Sequence, residues 1–425
     1  MSAQRLVIVD GIRTPFCKMG TGLSCLAADE LGRVAVEALL NRADLDPRGI
    51  DEVIVGCVGQ PSDSANLGRV ISLRAGIPDT VPAITVSRNC ASGMEALTLA
   101  DEKLRAGRGE VFVVAGVESM SNYPFLFSDR ARQKFSRLGR ARTPWQRLRA
   151  LAAFRLADFS PRIALQLGLT DPTCGMLMGE TAELLAREGG ITRERQDQFA
   201  LRSHQRAAAA RERLAGEITP VYLEGQAISA DNGVRPEQTM EALSRLSPVF
   251  DRRFGTVTAG NASQITDGAV ALLVMSEARA MALGCRPLGR LTGYAYAGCD
   301  PTRMGLGPVH AIAAAQARCG LGIADADLVE INEAFAAQVI ACQQAAASEK
   351  FADKVLGRQG PLGEIRDEIL NVNGGGIALG HPVGATGARL VLTSLLELQR
   401  RQQKRALVSL CVGGGQGAAI WLEAL

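Results

Sequence analysis

The chain runs twice through the same order of short apolar runs and longer amphipathic stretches. That recurrence limits it to an α/β architecture built from two related units. Apolar runs bounded by turn-forming residues predict strands, and apolar residues at three- and four-residue spacing predict helices. The first copy has expected strands at Leu6–Val9, Val53–Val58, Ile84–Ser87 and Val111–Ala115, with helices near Ala27–Asn41 and Cys90–Ala106. The second has strands at Gly289–Tyr296, Leu328–Ile331, Ile369–Val372 and Ala406–Cys411, with helices at Val309–Cys319 and Gly384–Arg401. The helix opened by Cys90 then corresponds to the helix that follows His381. Two equivalent helix ends can converge where such halves meet. Between the copies, Thr181–Arg187 and Arg193–Leu214 read as helices, and Asn261–Met275 returns to strand character.

A length of 425 residues is ample for a large core, and 47% hydrophobic with 21% charged residues is ordinary for a soluble globular protein. A net charge of +3 calls for no nucleic-acid partner. The ten cysteines include no Cys-x-x-Cys pair, which argues against a disulfide framework or a zinc site and for a reducing compartment. Arg5-Leu-Val-Ile-Val-Asp10 reads as a strand at once, leaving no room for a signal peptide. Leu422-Glu-Ala-Leu425 is not a peroxisomal tripeptide. No apolar run reaches the ~20 residues of a membrane span. The expected location is cytoplasmic.

Positive charge concentrates in one segment. Residues 123–178 hold ten Lys and Arg against three Asp, a net of +7. Within it Trp145, Leu148, Leu151, Ala152, Leu156 and Phe159 share one helical face, flanked by Arg147, Arg149 and Arg155. This is the composition of an interfacial amphipathic helix. A surface helix packing on its own domain has a similar pattern. Peripheral membrane contact and a protein partner both remain open for 123–178.

Three segments place a reactive side chain among small residues. Cys90, in Asn89-Cys90-Ala91-Ser92-Gly93, opens an apolar helix whose unpaired N–H groups would favour thiolate. A lone cysteine is more often a buried structural residue. His381 ends the run Gly374-Gly-Gly-Ile-Ala-Leu-Gly380. The spacing Gly375-x4-Gly380 suggests a phosphate loop, but His381-Pro382 stands where Lys and Ser/Thr are required. An imidazole there can take a thiol proton and then stabilise an anion. Cys411 ends a strand run before Gly413, Gly414 and Gly415, whose N–H groups suit an oxyanion. A plain strand end with a tight turn would look the same. Asn332, after a strand, could offer its amide to a carbonyl or merely cap the next helix. His204 and His310 lie on helical stretches and read as structural or surface residues. No metal-ligand spacing or dinucleotide fingerprint occurs.

Together these motifs resemble the thiolase family. Asn89–Gly93 resembles its nucleophile signature, Asn373–Gly387 its second and Cys411–Gly417 its third; Gly255–Ser263 and Asn332–Gln338 are similar to further family blocks. The resemblance runs from about residue 5 to the end and is weakest over 123–178. It implies a duplicated five-layered αβαβα fold with an inserted loop domain. Residues 1–122 with 250–284 would form the N-terminal half, 123–249 the loop domain over the coenzyme A site, and 285–425 the C-terminal half. It also implies Cys90 as the acyl-accepting nucleophile, His381 as its base and Cys411 as the acid/base. Asn332, through a water, would share one oxyanion hole with His381; the N–H groups of Cys90 and Gly413 would form the other. Ser263, Met178, Met304 and Phe335 match positions lining the pantetheine and acyl channel.

The implied activity is 3-ketoacyl-CoA thiolysis in fatty-acid β-oxidation, with coenzyme A as substrate and no further cofactor or metal. The alternative is an acetyl-CoA C-acetyltransferase working on acetoacetyl-CoA in either direction. A non-catalytic scaffold is a third reading, disfavoured because all four catalytic positions are filled. The resemblance further implies a homodimer or homotetramer. The insert most resembles the thiolase subunits of fatty-acid oxidation complexes, which raises a multifunctional partner subunit. Two departures stand out: Asn332-Glu-Ala-Phe replaces the His-Glu-Ala-Phe of those subunits, and Leu177 replaces the His that many short-chain thiolases place before Met-Gly. The second favours medium or long acyl chains.

Overall fold

The computed structural model describes residues 5–425. Its strands are β1 (Leu6–Arg13), β2 (Cys17–Lys18), β3 (Glu52–Gly56), β4 (Ala83–Val86), β5 (Val111–Ser119), β6 (Phe125–Leu126), β7 (Arg162–Ile163), β8 (Val221–Leu223), β9 (Gln226–Ile228), β10 (Thr266–Ser276), β11 (Gly289–Gly298), β12 (Leu328–Ile331), β13 (Arg405–Val412) and β14 (Gln416–Ala424). The main sheet runs β12-β13-β14-β11-β1-β10-β5-β3-β4, with β2 beside β10. Its middle seam is thin. Only Val7 with Arg290 and Ile8 with Gly289 pair β1 to β11.

On either side of that seam the pairing repeats. In the order β1, β10, β5, β3, β4 the contacts are antiparallel twice and then parallel twice. From β11 through β14 and β13 to β12 the same directions occur. The fifth member of the second set is reduced to one parallel bridge from Val329 to Leu370. The expected strand Ile369–Val372 is thus a single bridge. Asn371 there takes a left-handed φ of 46°, which ends the extended run.

Alternation along each strand sorts side chains into layers. On β10, Val270, Leu272 and Val274 face a central helix layer, whereas Ala269, Ala271 and Leu273 face outward. The central layer holds the helices Ser92–Arg105 and Val383–Arg401, which pack against both half-sheets through Met94, Leu97, Leu390 and Val391. Helices Ala28–Ala43 and Leu67–Arg74 cover the outer face of the first half. Helices Gly307–Cys319 and Ala336–Ala346 cover the second. This is the expected five-layered α/β fold.

The halves differ where the last two strands of each set join. β13 turns into β14 through Gly413, Gly414 and Gly415 alone, the last two at φ 89° and 75°. Between the corresponding β5 and β10 the chain makes a long excursion, from residue 120 to 265. Its first part is not one amphipathic helix through Phe159. Helix Pro144–Ala152, started by a Thr143/Gln146 capping box, ends there, and Leu156–Phe159 is a separate 3-10 turn. The break comes because Asp158 accepts from the Arg155 N–H at 2.7 Å and pairs with Lys134, turning the chain back onto helix Asp129–Arg140. Phe154 and Phe159 then stack, with Phe135 packed against both at a steep angle. Trp145 stays 73% and Leu156 92% exposed. Ala210 likewise interrupts the expected helix 193–214. No helix among the described residues is long and apolar enough to cross a membrane.

The two central helices touch backbone to backbone. A Cβ on Gly387 would sit 2.7 Å from the Met94 nitrogen, and one on Gly93 would sit 2.8 Å from that of Ala388. Gly387→Ala should therefore lower stability by about 1–3 kcal/mol, although Gly→Ala in an exposed helix raises it by up to ~1. Thermal denaturation checks the sign; an unchanged or higher Tm would contradict the contact.

Candidate active site

Cys90 is delivered by a tight strand-to-helix turn. After β4, Asn89 takes a left-handed φ of 43°, a conformation that Asn tolerates better than most residues. The Ser92 hydroxyl accepts from the Arg88 N–H at 2.9 Å and donates to the Asn89 carbonyl at 2.7 Å. The helix begins at Ser92, so Cys90 lies just before it. The Asn89 side chain donates to the Gly413 carbonyl at 2.8 Å. That bond ties the Cys90 turn to the hairpin carrying Cys411, more than three hundred residues away.

His381 sits between the short helix Gly376–Leu379 and the helix Val383–Arg401. Its ring is held at both nitrogens. The Thr386 hydroxyl donates its own proton to the Pro382 carbonyl at 3.0 Å and lies 2.6 Å from Nδ1. The network therefore places the ring hydrogen on Nδ1, donating to Thr386. Nε2 is left with its lone pair, 3.3 Å from Nδ2 of Asn332. An imidazole in this tautomer is ready to take a proton at Nε2.

Of the expected residues, Cys90, His381, Cys411, Gly413, Ser263, Met178, Met304 and Phe335 all line one cavity of about 290 Å³. Asn332 is fully buried and reaches the site through His381. Met304, Phe335 and Cys411 pack as one apolar cluster with Met178 beside them. Leu165, Leu169 and Asp171 close the cavity from the inserted segment. His204 and His310 are elsewhere. His204 is buried and accepts from the Arg235 N–H, and His310 packs edge-on to Phe351.

Thr386, Asn89, Tyr123 and Glu118 were not among the expected site residues. Thr386 had a readable signal, a hydroxyl five residues after the histidine in a run of small residues. Glu118, near the end of β5, and Tyr123, just after the 3-10 turn Met120–Asn122, had none.

The enclosure sets the protonation states. Burial pushes the Cys90 thiol up to about 11, despite N–H bonds from Gly413 and its own backbone, and the Glu118 charge adds to the rise. The helix-end effect expected to favour thiolate is outweighed by desolvation. Burial, with the Arg389 charge, pulls His381 down to about 3. Cys411 is pushed well above an ordinary thiol by burial, and the nearby thiols Cys90, Cys342 and Cys299 add to this. The resting site is two neutral thiols and a neutral imidazole. A cavity of this kind suits attack on an electrophilic carbonyl by a thiol whose proton passes to a neighbouring imidazole.

The sequence matches the family model of the thiolase N-terminal domain over residues 6–278 and that of the thiolase C-terminal domain over 285–424. It is 41% identical to a 3-ketoacyl-CoA thiolase of Escherichia fergusonii over 99% of this chain and 97% of the relative. It is 40% identical to one of Pseudoalteromonas translucida, again over 99% and 97%. The crystal structure of human mitochondrial 3-ketoacyl-CoA thiolase in complex with CoA superimposes with a TM-score of 0.85 at 36% identity, covering 100% of this chain and 98% of the other. A Bacillus anthracis acetyl-CoA acetyltransferase structure gives 0.87 at 37% identity, covering 100% and 99%. The chain belongs to the thiolase family and is by that membership an acyltransferase.

A neutral resting pair has a direct readout. Cys90 alkylation by iodoacetamide should rise about tenfold per pH unit between pH 7 and 9, because the thiolate fraction below a raised pKa grows at that rate. A rate already flat by pH 7 would mean a thiolate–imidazolium pair.

Proposed function

We propose that this chain is a 3-ketoacyl-CoA thiolase of fatty-acid β-oxidation. The observation that carries the reading is the convergence of Cys90, His381 and Cys411 on one cavity. Sγ of Cys90 attacks the 3-keto carbon while its proton passes to His381. The bond between C2 and C3 breaks, and the departing acetyl-CoA enolate takes the Cys411 proton at C2. Coenzyme A then enters, gives its thiol proton to the Cys411 thiolate and attacks the acyl group on Cys90. The shortened acyl-CoA leaves, and the Cys90 thiolate recovers its proton from His381. No other reactant is consumed.

Oxyanions develop twice. Imidazolium His381 with the Asn332 amide suits one, and the N–H groups of Gly413 and Cys90 suit the other. Met178, Met304, Phe335 and Ser263 line the acyl and pantetheine path. The segment 123–249 serves as the loop domain over the coenzyme A site. Its Leu165 and Leu169 give an apolar wall to the acyl end, in keeping with medium or long chains. Likeness to an acetyl-CoA acetyltransferase structure keeps acetoacetyl-CoA as the competing substrate. Ten unpaired cysteines support work in the reducing cytoplasm. A homodimer or homotetramer, with or without a multifunctional oxidation subunit, completes the reading.

Thiolysis across a series from acetoacetyl-CoA to 3-ketopalmitoyl-CoA should show kcat/KM rising with chain length. Cys90→Ala should abolish turnover, and Cys411→Ala should lower kcat about 10²–10⁴-fold. Full activity in Cys90→Ala would end the covalent mechanism, and a preference for acetoacetyl-CoA would favour the acetyltransferase reading.

The exposed Trp145, Leu148, Leu151 and Leu156 among basic residues support peripheral contact with an anionic bilayer. The protein should co-sediment with phosphatidylglycerol-containing vesicles and not with neutral ones, and lose binding in Trp145→Ser/Leu148→Ser. Absence from both pellets would leave the patch to a protein partner.

A further inference from the structure

Glu118 is wholly buried beside the cavity, and no cationic side chain among the described residues pairs with it. Backbone donors reach both oxygens. Oε1 accepts from the Gly59 N–H at 2.8 Å and from the Tyr123 hydroxyl at 2.9 Å, with the Cys57 thiol at 3.8 Å. Oε2 accepts from the Val58 N–H at 3.2 Å and the Gly384 N–H at 2.9 Å. Burial raises the pKa of this carboxyl, and the four N–H and O–H donors from Gly59, Tyr123, Val58 and Gly384 work against that rise by favouring its ionised form. Gly384 belongs to the first turn of helix Val383–Arg401, where the partial positive charge of free N–H groups stabilises an anion.

The duplication gives Glu118 a counterpart. In the pairing of β5 with β10 it faces Gly268, one place before the last pair. In the pairing of β13 with β14, Cys411 faces Gly417, also one place before the last. The parallel neighbours agree. Gly56 ends β3 opposite Gly116, and Ile331 ends β12 opposite Ser409, each two residues before the position in question. Glu118 stands in the first half where Cys411 stands in the second.

We propose that Glu118 is a positioning residue of the acyl-transfer site: one carboxylate fastens the loop after β3, Tyr123 at the root of the insert and the start of the His381 helix around Cys90. The proposal rests on the thiolase reading above. Val58 and Tyr123 line the same cavity as Cys90, and Gly384 lies three residues after His381. A shift in any of these three displaces either the acyl wall or the base. The carboxylate has a second effect. Its charge adds to the burial that holds the Cys90 thiol protonated.

The test compares Glu118→Gln, Glu118→Asp and Tyr123→Phe with the wild type in steady-state thiolysis and in the pH profile of Cys90 alkylation, with circular dichroism to confirm folding. Glu118→Gln should lower kcat about 10–100-fold, the loss of bonds to a charged group, with KM for coenzyme A unchanged. Its alkylation profile should move to lower pH. Glu118→Asp keeps the charge without the reach, so it should restore the profile but not the turnover. Tyr123→Phe should lower kcat/KM about threefold to tenfold. A folded Glu118→Gln enzyme with wild-type kcat and profile overturns the proposal. If that variant does not fold, wild-type kcat/KM in Tyr123→Phe overturns it. Wild-type protein without thiolysis on any chain length sinks the thiolase reading alone, because the alkylation profiles need no turnover and still judge Glu118.

Discussion

Two helices cross in the centre of the molecule with their backbones in contact, and the site depends on that crossing. Gly93 and Gly387 leave no side chain between them, so the first turns of both helices lie against each other rather than a side chain's width apart. Cys90 precedes one first turn and His381 precedes the other. Neither the thiol nor the imidazole needs a long flexible arm to reach the shared cavity. Both half-sheets close over the crossing, which removes it from water and fixes it by packing on two sides.

Removal from water has a chemical consequence. In an exposed site the thiol and imidazole would settle their proton by ordinary acidity, and a helix end would help the thiolate. Here desolvation works against both ionised forms and keeps the pair neutral. An ionised form of either group then needs donors inside the cavity to offset its desolvation. The Thr386 hydroxyl matters for the same reason. By accepting from Nδ1 it leaves the lone pair on Nε2, beside the Asn332 amide.

Much of this was legible in the chain. The order of strands and helices came through because apolar runs and amphipathic periods are local signals, and the reactive residues stood out against small neighbours. β14 was not foreseen: Gly417, Ala418 and Ala419 have little strand preference, and only pairing with β11 and β13 makes that segment extended. Ile369–Val372 failed in the opposite sense, because a left-handed Asn371 stopped a run that looked like a strand. The helix proposed through Phe159 was broken by Asp158 reaching back to Lys134 and the Arg155 N–H, a contact between segments that periodicity does not encode. Asn89 was visible in the sequence, but its bond to Gly413 was not.

The repeated topology explains why these long-range partners fall where they do. Equivalent strands end at the same edge of both half-sheets, so whatever residue stands one pair before the end is delivered to the crossing. The second half delivers a thiol there and closes its hairpin with three glycines. The first half delivers a carboxylate and opens the equivalent turn into the long segment that walls the cavity. The insert could grow at that point without disturbing the sheet, because β5 and β10 remain paired down to Ser119 and Asp267. A thiol and a carboxylate thus occupy matching positions, and the difference between halves lies in side chains and one loop rather than in the scaffold.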